Sequence, residues 1–271
     1  MKVEIPDEIY SEIKKIVETP EDFIINAIKD SLRKNKIKAL ILCGGEGTRM
    51  RPLTYAIPKP LLPIGRKPVL QYIIEFFKNN GFDDIVLAIG YLGDTIVRYF
   101  GDGFKFNVNI EYSVEKEALD TGGAILNAKN KLSKTFFVSN GDVIFSHSLN
   151  LHNLLEFHKS KKTIGTIVVK YIEKSKRYGL VDFDEDYYIN SFREKPEKEV
   201  SGYINAGIYV FTDEIFDYIK PNAKVSIEKE VFPVLAKEGK LSAYVYDDFW
   251  IDIGIPEDYE KALITLNNFV K

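Results

Sequence analysis

The chain has 271 residues, of which 45% are hydrophobic and 28% charged, with a formal net charge of −3 at pH 7. This composition is typical of a globular protein, and the small negative charge gives no overall electrostatic footprint for nucleic acid. The lone Cys43 excludes an internal disulfide framework. The first residues lack the apolar core of a signal peptide, and no apolar run of about 18 residues follows, so we expect a cytoplasmic protein without a membrane span.

The first 36 residues differ in pattern from the rest of the chain. The stretch MKVEI alternates as a strand does, Pro6 ends it, and two helices are then predicted, the second beginning at Thr19 and Pro20. This order resembles the ribbon-helix-helix module of small dimeric DNA-binding proteins. Eight basic and eight acidic residues balance through Lys38. Because neutralising phosphates supplies most affinity for DNA, the balance favours a dimerisation or packing appendage over a DNA-binding one.

From Ile37 onward, strand and helix patterns alternate. The largely apolar stretches IKALILC and DIVLAIG are predicted to be buried strands. The segments PVLQYIIEFFKNNG and DTIVRYFGDG are predicted to form helices. Such alternation predicts an α/β sheet with parallel strands. β-rich segments dominate after the helix NLHNLLEFHKS, and the helix PEDYEKALITLNNF ends the chain.

A glycine-rich loop follows the first of these buried strands. The strand LILC runs directly into Gly44-Gly45-Glu46-Gly47-Thr48-Arg49. Bare backbone lets amide groups approach an anion closely, so such a loop suits phosphate binding. The spacing matches neither a P-loop nor a dinucleotide-binding G-x-G-x-x-G motif. Arg49 and Lys59 place cations near the loop, as phosphoryl or nucleotidyl transfer requires.

The loop is part of a longer recognisable segment. The stretch LCGGEGTRMRPLTYAIPKPLLPIGRKPVL resembles the signature of the sugar-1-phosphate nucleotidyltransferases, also called nucleotide-sugar pyrophosphorylases. The segments EALDTGGAILNA, VSNGDVIF, FREKP, INAGIYVF and FWIDIGIPEDYEKA follow in the order of that family, so the resemblance covers about residues 37–267. It implies a Rossmann-like nucleotidyltransferase domain with a mixed central sheet at 37–271. The ribbon-helix-helix-like appendage at 1–36 lies outside it.

The resemblance also implies a reaction and a set of site residues. Members of the family condense a nucleoside triphosphate with a sugar 1-phosphate and release pyrophosphate, with Mg²⁺ as cofactor. Arg49 and Lys59 would stabilise charge on the phosphates, and Asp142 and Asp252 would hold the metal ion. The implied nucleotide-binding residues are Gly44, Gly45, Gly47, Thr48, Glu115 and Gly122. The implied residues for the sugar phosphate are Lys195, Glu194, Asn205 and Gly179.

Glu115 bears on the choice of base. A carboxylate only accepts hydrogen bonds, and guanine offers two adjacent donors, so Glu115 favours GTP. The segments EALDTGGAI and FWIDIGIPEDYEKA look most like enzymes that act on mannose 1-phosphate or D-glycero-α-D-manno-heptose 1-phosphate. One alternative is a uridylyl- or thymidylyltransferase acting on glucose 1-phosphate. An alternative of another class is a non-catalytic, DNA-binding regulator with a nucleotide-sugar sensor domain.

Two expectations concern assembly and length. We expect a homo-oligomer, with residues 1–36 as the candidate dimer contact, and neither DNA nor a membrane as a partner. The chain ends at Lys271, which leaves no room for the C-terminal left-handed β-helix of longer family members. We therefore expect no fused acetyltransferase.

Overall fold

The computed structural model describes residues 5–17, 19–21, 23–24, 36–175, 177–194 and 198–269. The chain divides into two compact units, residues 1–36 and 37–271. In the first unit, helix α1 (Asp7–Lys14) has acidic residues in its first turn and Lys14 in its last, which matches the helix dipole. The predicted first strand and most of the second predicted helix lie outside the described residues. The ribbon-helix-helix interpretation therefore stays a prediction.

The second unit alternates strands and helices in its first half and is rich in strands in its second. Its helices are α2 (Val69–Asn79), α3 (Gly93–Phe100), α4 (Asp120–Asn127), α5 (Leu151–Lys161), α6 (Phe232–Lys237) and α7 (Pro256–Phe269). Its strands are β1 (Lys38–Cys43), β2 (Pro63–Ile64), β3 (Lys67–Pro68), β4 (Asp84–Ile89), β5 (Asn109–Val114), β6 (Thr135–Asn140), β7 (Val143–Phe145), β8 (Gly165–Ser175), β9 (Leu180–Phe183), β10 (Ile189–Arg193), β11 (Val200–Thr212), β12 (Leu241–Val245) and β13 (Trp250–Asp252).

A mixed sheet forms the centre of this unit and, within the described residues, contains nine strands. Its main path has the order β10-β9-β11-β6-β1-β4-β5, and β8 joins β11 to β12. Strands β6, β1, β4 and β5 are parallel, whereas β11 is antiparallel to β6. The predicted Rossmann-like architecture with a mixed central sheet is confirmed.

Strand β1 lies at the centre of the core and is covered on both faces. Ala39, Ile41 and Cys43 face a cluster that includes side chains of α2, α3, α5 and α7. Leu40 faces the opposite cluster, to which α4 and α6 contribute. A parallel strand buried on both faces has no solvent-exposed side, which explains why residues 39–43 are an uninterrupted apolar run.

Helices cover the sheet closely, and none of those described combines the length and apolar character needed to cross a membrane.

Outside the main sheet, β7 pairs antiparallel with β13, with Asp252 opposite Val143. Because β7 follows β6 after two residues, this pairing brings a segment from near the chain's end to the carboxyl edge of β6 and β1.

Candidate active site

The glycine loop follows the carboxyl end of β1 and is held by a hydrogen bond from a buried threonine. Gly47 has φ = +61°, a left-handed conformation that favours glycine. The Thr54 hydroxyl donates to the Gly47 carbonyl over 2.8 Å, and Thr54 is wholly buried. A Cβ at Gly47 would approach Thr54 Cγ2 to 2.9 Å. The loop can therefore adopt this conformation only if residue 47 is glycine.

Gly44 makes room for Glu115. A Cβ at Gly44 would lie 2.4 Å from Glu115 Oε1. The other carboxylate oxygen of Glu115 accepts a hydrogen bond from the Leu119 amide at 3.1 Å. Burial raises the pKa of Glu115, and the Leu119 amide acts in the opposite direction. The predicted base-reading carboxylate thus lies against the glycine loop itself.

A cavity of about 470 Å³ opens above this loop. It brings together eight of the predicted residues: Gly44, Gly45, Gly47, Thr48, Arg49, Lys59, Glu115 and Asp142. Gly122, predicted to bind nucleotide, is absent from the lining. It lies in the first turn of α4, and its amide donates to the Val225 carbonyl at 2.8 Å. A Cβ there would approach Val225 Cγ1 to 3.0 Å, so Gly122 allows close packing under the cavity.

Asp142 reaches the cavity because β6 and β1 end side by side. The Gly141 amide donates to the Leu42 carbonyl at 3.0 Å, and a Cβ at Gly141 would lie 2.4 Å from that oxygen. Only glycine allows this approach, which aims the next residue, Asp142, at the glycine loop. There Asp142 Oδ2 forms a close ion pair with Lys59 Nζ.

Asp252 is absent from the cavity lining, but the pairing of β13 with β7 brings its segment beside that of Asp142. The Ile253 amide donates to the Asp142 carbonyl at 2.9 Å. The segment that carries Asp252 is therefore hydrogen-bonded directly to the segment that carries Asp142. The Oδ1 atom of Asp252 is buried and has no hydrogen-bond partner among the described residues. Burial and the nearby charge of Asp142 raise the pKa of Asp252 to about 6, against the opposing charges of Lys59 and Arg177.

This pair fits a divalent cation. A buried carboxylate oxygen without a partner, beside a second carboxylate, is an arrangement that a bound cation would satisfy. Within the described ranges, no group of three or more His, Cys, Asp or Glu side chains could hold a metal ion. Phosphate and water oxygens would therefore complete the coordination of a hard cation held by Asp142 and Asp252.

Three of the residues predicted for the sugar phosphate lie on or next to neighbouring strands: Gly179 precedes β9, Glu194 follows β10 and Asn205 lies on β11. The Asn205 amide donates to the Gly179 carbonyl at 2.8 Å, and a Cβ at Gly179 would lie 2.8 Å from Glu194 Oε2. The Asn205 side chain donates to the Tyr209 hydroxyl at 2.8 Å and accepts from a neighbouring amide. Its role toward a sugar stays a prediction. Lys195, the predicted phosphate ligand, lies outside the described residues.

The cavity also contains polar residues that the sequence interpretation did not assign. Asp120, in the left-handed region at φ = +61°, accepts a hydrogen bond from the Thr121 amide at 2.9 Å. Both line the cavity, as do Asn140 and Lys224. The first three lie within quoted motifs and could have been found there. Lys224 comes from a loop without any distinguishing pattern.

Glu228 is a further unassigned carboxylate, and it contacts Thr121, which lines the cavity. It accepts hydrogen bonds from the Thr121 hydroxyl at 2.6 Å and the Ser226 hydroxyl at 2.9 Å. Burial is the main cause that raises its pKa, and the charge of Glu194 adds to it. Glu228 therefore connects the start of α4 with the Ser226 turn.

The glycine loop, two cations and Asp142 meet where parallel strands of the mixed sheet end, an arrangement typical of nucleotide-binding α/β proteins. The family model described as nucleotidyl transferase matches residues 38–268, and the chain belongs to this family. Enzymes of the family generally use a divalent metal ion, in agreement with the carboxylate pair.

Two curated relatives are mannose-1-phosphate guanyltransferases. The protein from Gibberella zeae is 42% identical over 229 residues, which are 82% of this chain and 62% of that protein. The protein from Saccharomyces cerevisiae is 39% identical over 242 residues, 87% of this chain and 66% of that protein. The chain thus spans slightly less than two thirds of the length of these relatives.

Solved structures show the same fold. HddC from Yersinia pseudotuberculosis is 33% identical, with a TM-score of 0.74 over 85% of this chain and 99% of HddC. HddC has also been crystallised with GMP-PN. A putative glucose-1-phosphate thymidylyltransferase from Bacillus anthracis is 26% identical, with a TM-score of 0.76 over 84% of this chain and 94% of that one.

Proposed function

We propose that this chain transfers GMP from GTP to the phosphate of a manno-configured sugar 1-phosphate, a hexose or heptose derivative, and releases pyrophosphate. The observation that carries the proposal is the cavity in which the glycine loop, Arg49, Lys59 and Asp142 meet. A backbone hydrogen bond from Ile253 to Asp142 holds the segment of Asp252 next to that of Asp142. The names of the two guanyltransferase relatives and the GMP-PN complex of HddC support the choice of base.

The chemistry needs no covalent enzyme intermediate. A phosphate oxygen of the sugar 1-phosphate attacks the α-phosphorus, the bond from this phosphorus to the bridging oxygen breaks, and its electron pair leaves with pyrophosphate. The protein contributes position and charge. Backbone amides of the glycine loop hold the triphosphate, and Arg49, a planar and permanently charged fork, stabilises negative charge on it. Lys59 would stabilise the α-phosphate.

We assign the metal ion as Mg²⁺, held by Asp142 and Asp252. When bound, it neutralises phosphate charge and orients the phosphate oxygens. Lys59 already pairs with Asp142, so its charge lies beside the same carboxylate. Glu194, Asn205, Gly179 and Lys195 remain the proposed ligands of the sugar phosphate.

Base recognition is proposed to depend on Glu115. Its Oε1 lies against Gly44, and its Oε2 accepts from the Leu119 amide. Each carboxylate oxygen has two lone pairs, so both retain capacity for the adjacent N–H donors of guanine. A pyrimidine, which presents a donor next to a carbonyl, would place one of its oxygens against the carboxylate.

The test is pyrophosphate release in the presence of Mg²⁺ across a grid of substrates. GTP, UTP, dTTP, CTP and ATP are each combined with mannose, glucose, N-acetylglucosamine and manno-heptose 1-phosphates. Turnover confined to GTP with a manno-sugar is expected. Turnover with UTP or dTTP and glucose 1-phosphate would replace the proposed specificity with the uridylyl or thymidylyl alternative. No turnover in the whole grid would contradict the proposed activity.

A further inference from the structure

Arg177 connects two carboxylates that come from different elements. Its Nη1 atom donates a close hydrogen bond to Oδ2 of Asp258, in the first turn of α7. Its Nη2 atom lies 3.8 Å from Oδ2 of Asp252, at the end of β13. The guanidinium therefore donates to Asp258 and also lies near Asp252.

The surroundings fix this geometry. The side chains of Asp258 and Asp252 are 13% and 14% exposed. The guanidinium carbon of Arg177 lies 5.2 Å from the centre of the Tyr178 ring, and Trp250 contacts that ring edge-on. A Cβ at Gly254 would approach Asp252 Oδ1 to 2.8 Å. Glycine at position 254 therefore leaves room for this carboxylate oxygen.

The division of contacts has a consequence for Asp252. Because Asp258 takes the direct hydrogen bond, Arg177 provides positive charge near Oδ2 of Asp252 and is not a hydrogen-bond partner of the buried Oδ1. The Oδ1 atom accordingly has no partner in the described part of the chain. Without the charge of Asp258, the guanidinium would be drawn toward Asp252 and would compete with a cation for its lone pairs.

We propose that Arg177 and Asp258 are positioning residues, which together hold Asp252 with the lone pairs of Oδ1 available to the metal ion. This inference rests on the proposed role of Asp252 as a metal ligand. Among the described residues, Arg177, Asp258 and Asp252 are all absent from the cavity lining. Arg177 lies near Asp252 and pairs with Asp258, so we assign both residues a role through Asp252. Partners behind a metal ligand commonly change metal affinity by about 10- to 100-fold.

The experiment measures the affinity for Mn²⁺ of the full-length protein in the presence of GTP, by water-proton relaxation enhancement. This signal reports the protein-bound metal independently of turnover. The variants are Arg177→Met, Arg177→Lys, Asp258→Asn and, as the reference for loss of a ligand, Asp252→Asn. Arg98→Met is the matched control, because Arg98 is exposed on α3 and, within the described residues, bonds only a carbonyl of its own helix.

We expect Arg177→Met and Asp258→Asn each to weaken Mn²⁺ binding by about tenfold. Arg177→Lys should restore much of the affinity, and Arg98→Met should match the wild type. Asp258→Asn preserves shape, so it keeps the test valid if Arg177→Met fails to fold, as judged by circular dichroism.

Two results would overturn the inference in distinguishable ways. If Asp252→Asn loses Mn²⁺ while Arg177→Met and Asp258→Asn bind as the wild type does, the positioning role is wrong and the metal site stands. If the wild type gives no enhancement, or Asp252→Asn equals the wild type, the proposed metal assignment itself fails and the inference fails with it.

Discussion

At the residue scale, Asp252 shows a conflict between stability and function. Its pKa is raised to about 6, because burial and Asp142 disfavour the ionised form. A carboxyl whose folded-state pKa is raised contributes stability below its unfolded pKa of about 4, and this contribution is lost as the pH rises through the folded value. At neutral pH the ionised group therefore costs stability, and a bound cation would relieve that cost.

Asp252→Asn should consequently stabilise the fold while removing turnover. At pH 8 we expect the free energy of unfolding to rise by up to about 3 kcal/mol, with little change at pH 4, where the native carboxyl is also neutral. Urea unfolding at the two pH values, with pyrophosphate release measured alongside, tests both parts. Equal or lower stability at pH 8, or retained turnover, would contradict the assignment.

A second prediction at the residue scale concerns the role of Glu115 in the choice of base. Glutamine at this position would have a hydrogen-bond donor in place of one acceptor. This donor would face one of the two donors of guanine, whereas it could bond to the carbonyl of a pyrimidine. The ratio of kcat/KM for GTP to that for UTP should fall by at least about tenfold in Glu115→Gln. Glu117→Gln is the control, since Glu117 is exposed two residues away. An unchanged ratio in Glu115→Gln would remove this residue from base recognition.

At the element scale, the junction of α5 with β8 and β12 contains a buried polar network. His158 on α5 is 3% exposed, and its Nδ1 lies 2.8 Å from the Thr166 hydroxyl, which in turn bonds Ser242. Burial lowers the pKa of His158 to about 4. The imidazole is therefore neutral in the fold, whereas the unfolded chain takes up a proton near pH 6.5.

This linkage predicts how stability depends on acid. A histidine with a lowered folded-state pKa contributes stability above its unfolded pKa, and the contribution is lost as the pH falls from about 6.5 toward 4. Between pH 7 and pH 4.5, His158→Gln should lose about 2 kcal/mol less stability than the wild type. Urea unfolding at the two pH values measures it, with the exposed His147→Gln as control. Parallel losses in all three proteins would show that His158 is not the titrating group.

At the scale of the whole molecule, the second unit contains the sheet, the core clusters and the candidate site. We therefore expect residues 36–271 to fold and to retain turnover without the first unit. Deleting residues 1–35 should change the oligomeric state more than kcat. Light scattering gives the mass of both proteins, and pyrophosphate release gives the rate. An unchanged mass would remove the appendage from assembly, and a lost rate would show that it belongs to the site.

A gel-shift comparison at two salt concentrations examines the same unit for DNA binding. Phosphate contacts make DNA affinity strongly dependent on salt. The equal numbers of acidic and basic residues through Lys38 predict no salt-sensitive shift for the full-length chain. A shift that weakens with salt and disappears on deletion of residues 1–35 would support the regulator alternative.

Much of the fold and part of the site were readable from sequence because they are local. Strand β1 is apolar on both faces, and this indicated a buried parallel strand before any partner was known. The glycines of the loop, with Arg49 and Lys59 close behind, indicated phosphate chemistry. The resemblance drawn from these motifs is confirmed by the family model. The separate roles of the site residues stay predictions, and the placement of Gly122 beneath the cavity shows how a motif glycine can serve packing.

What only the tertiary structure decided is which distant side chains meet. The pairing of β7 with β13 bonds the Asp142 segment to the Asp252 segment, and no periodicity within either segment encodes that register. The contact of Arg177 with Asp258 depends in turn on where α7 lies after β13. Local patterns record burial and turn geometry, since those act on neighbouring residues. A cation site built from distant segments depends on long-range strand pairing, so its charge balance exists only in the folded chain.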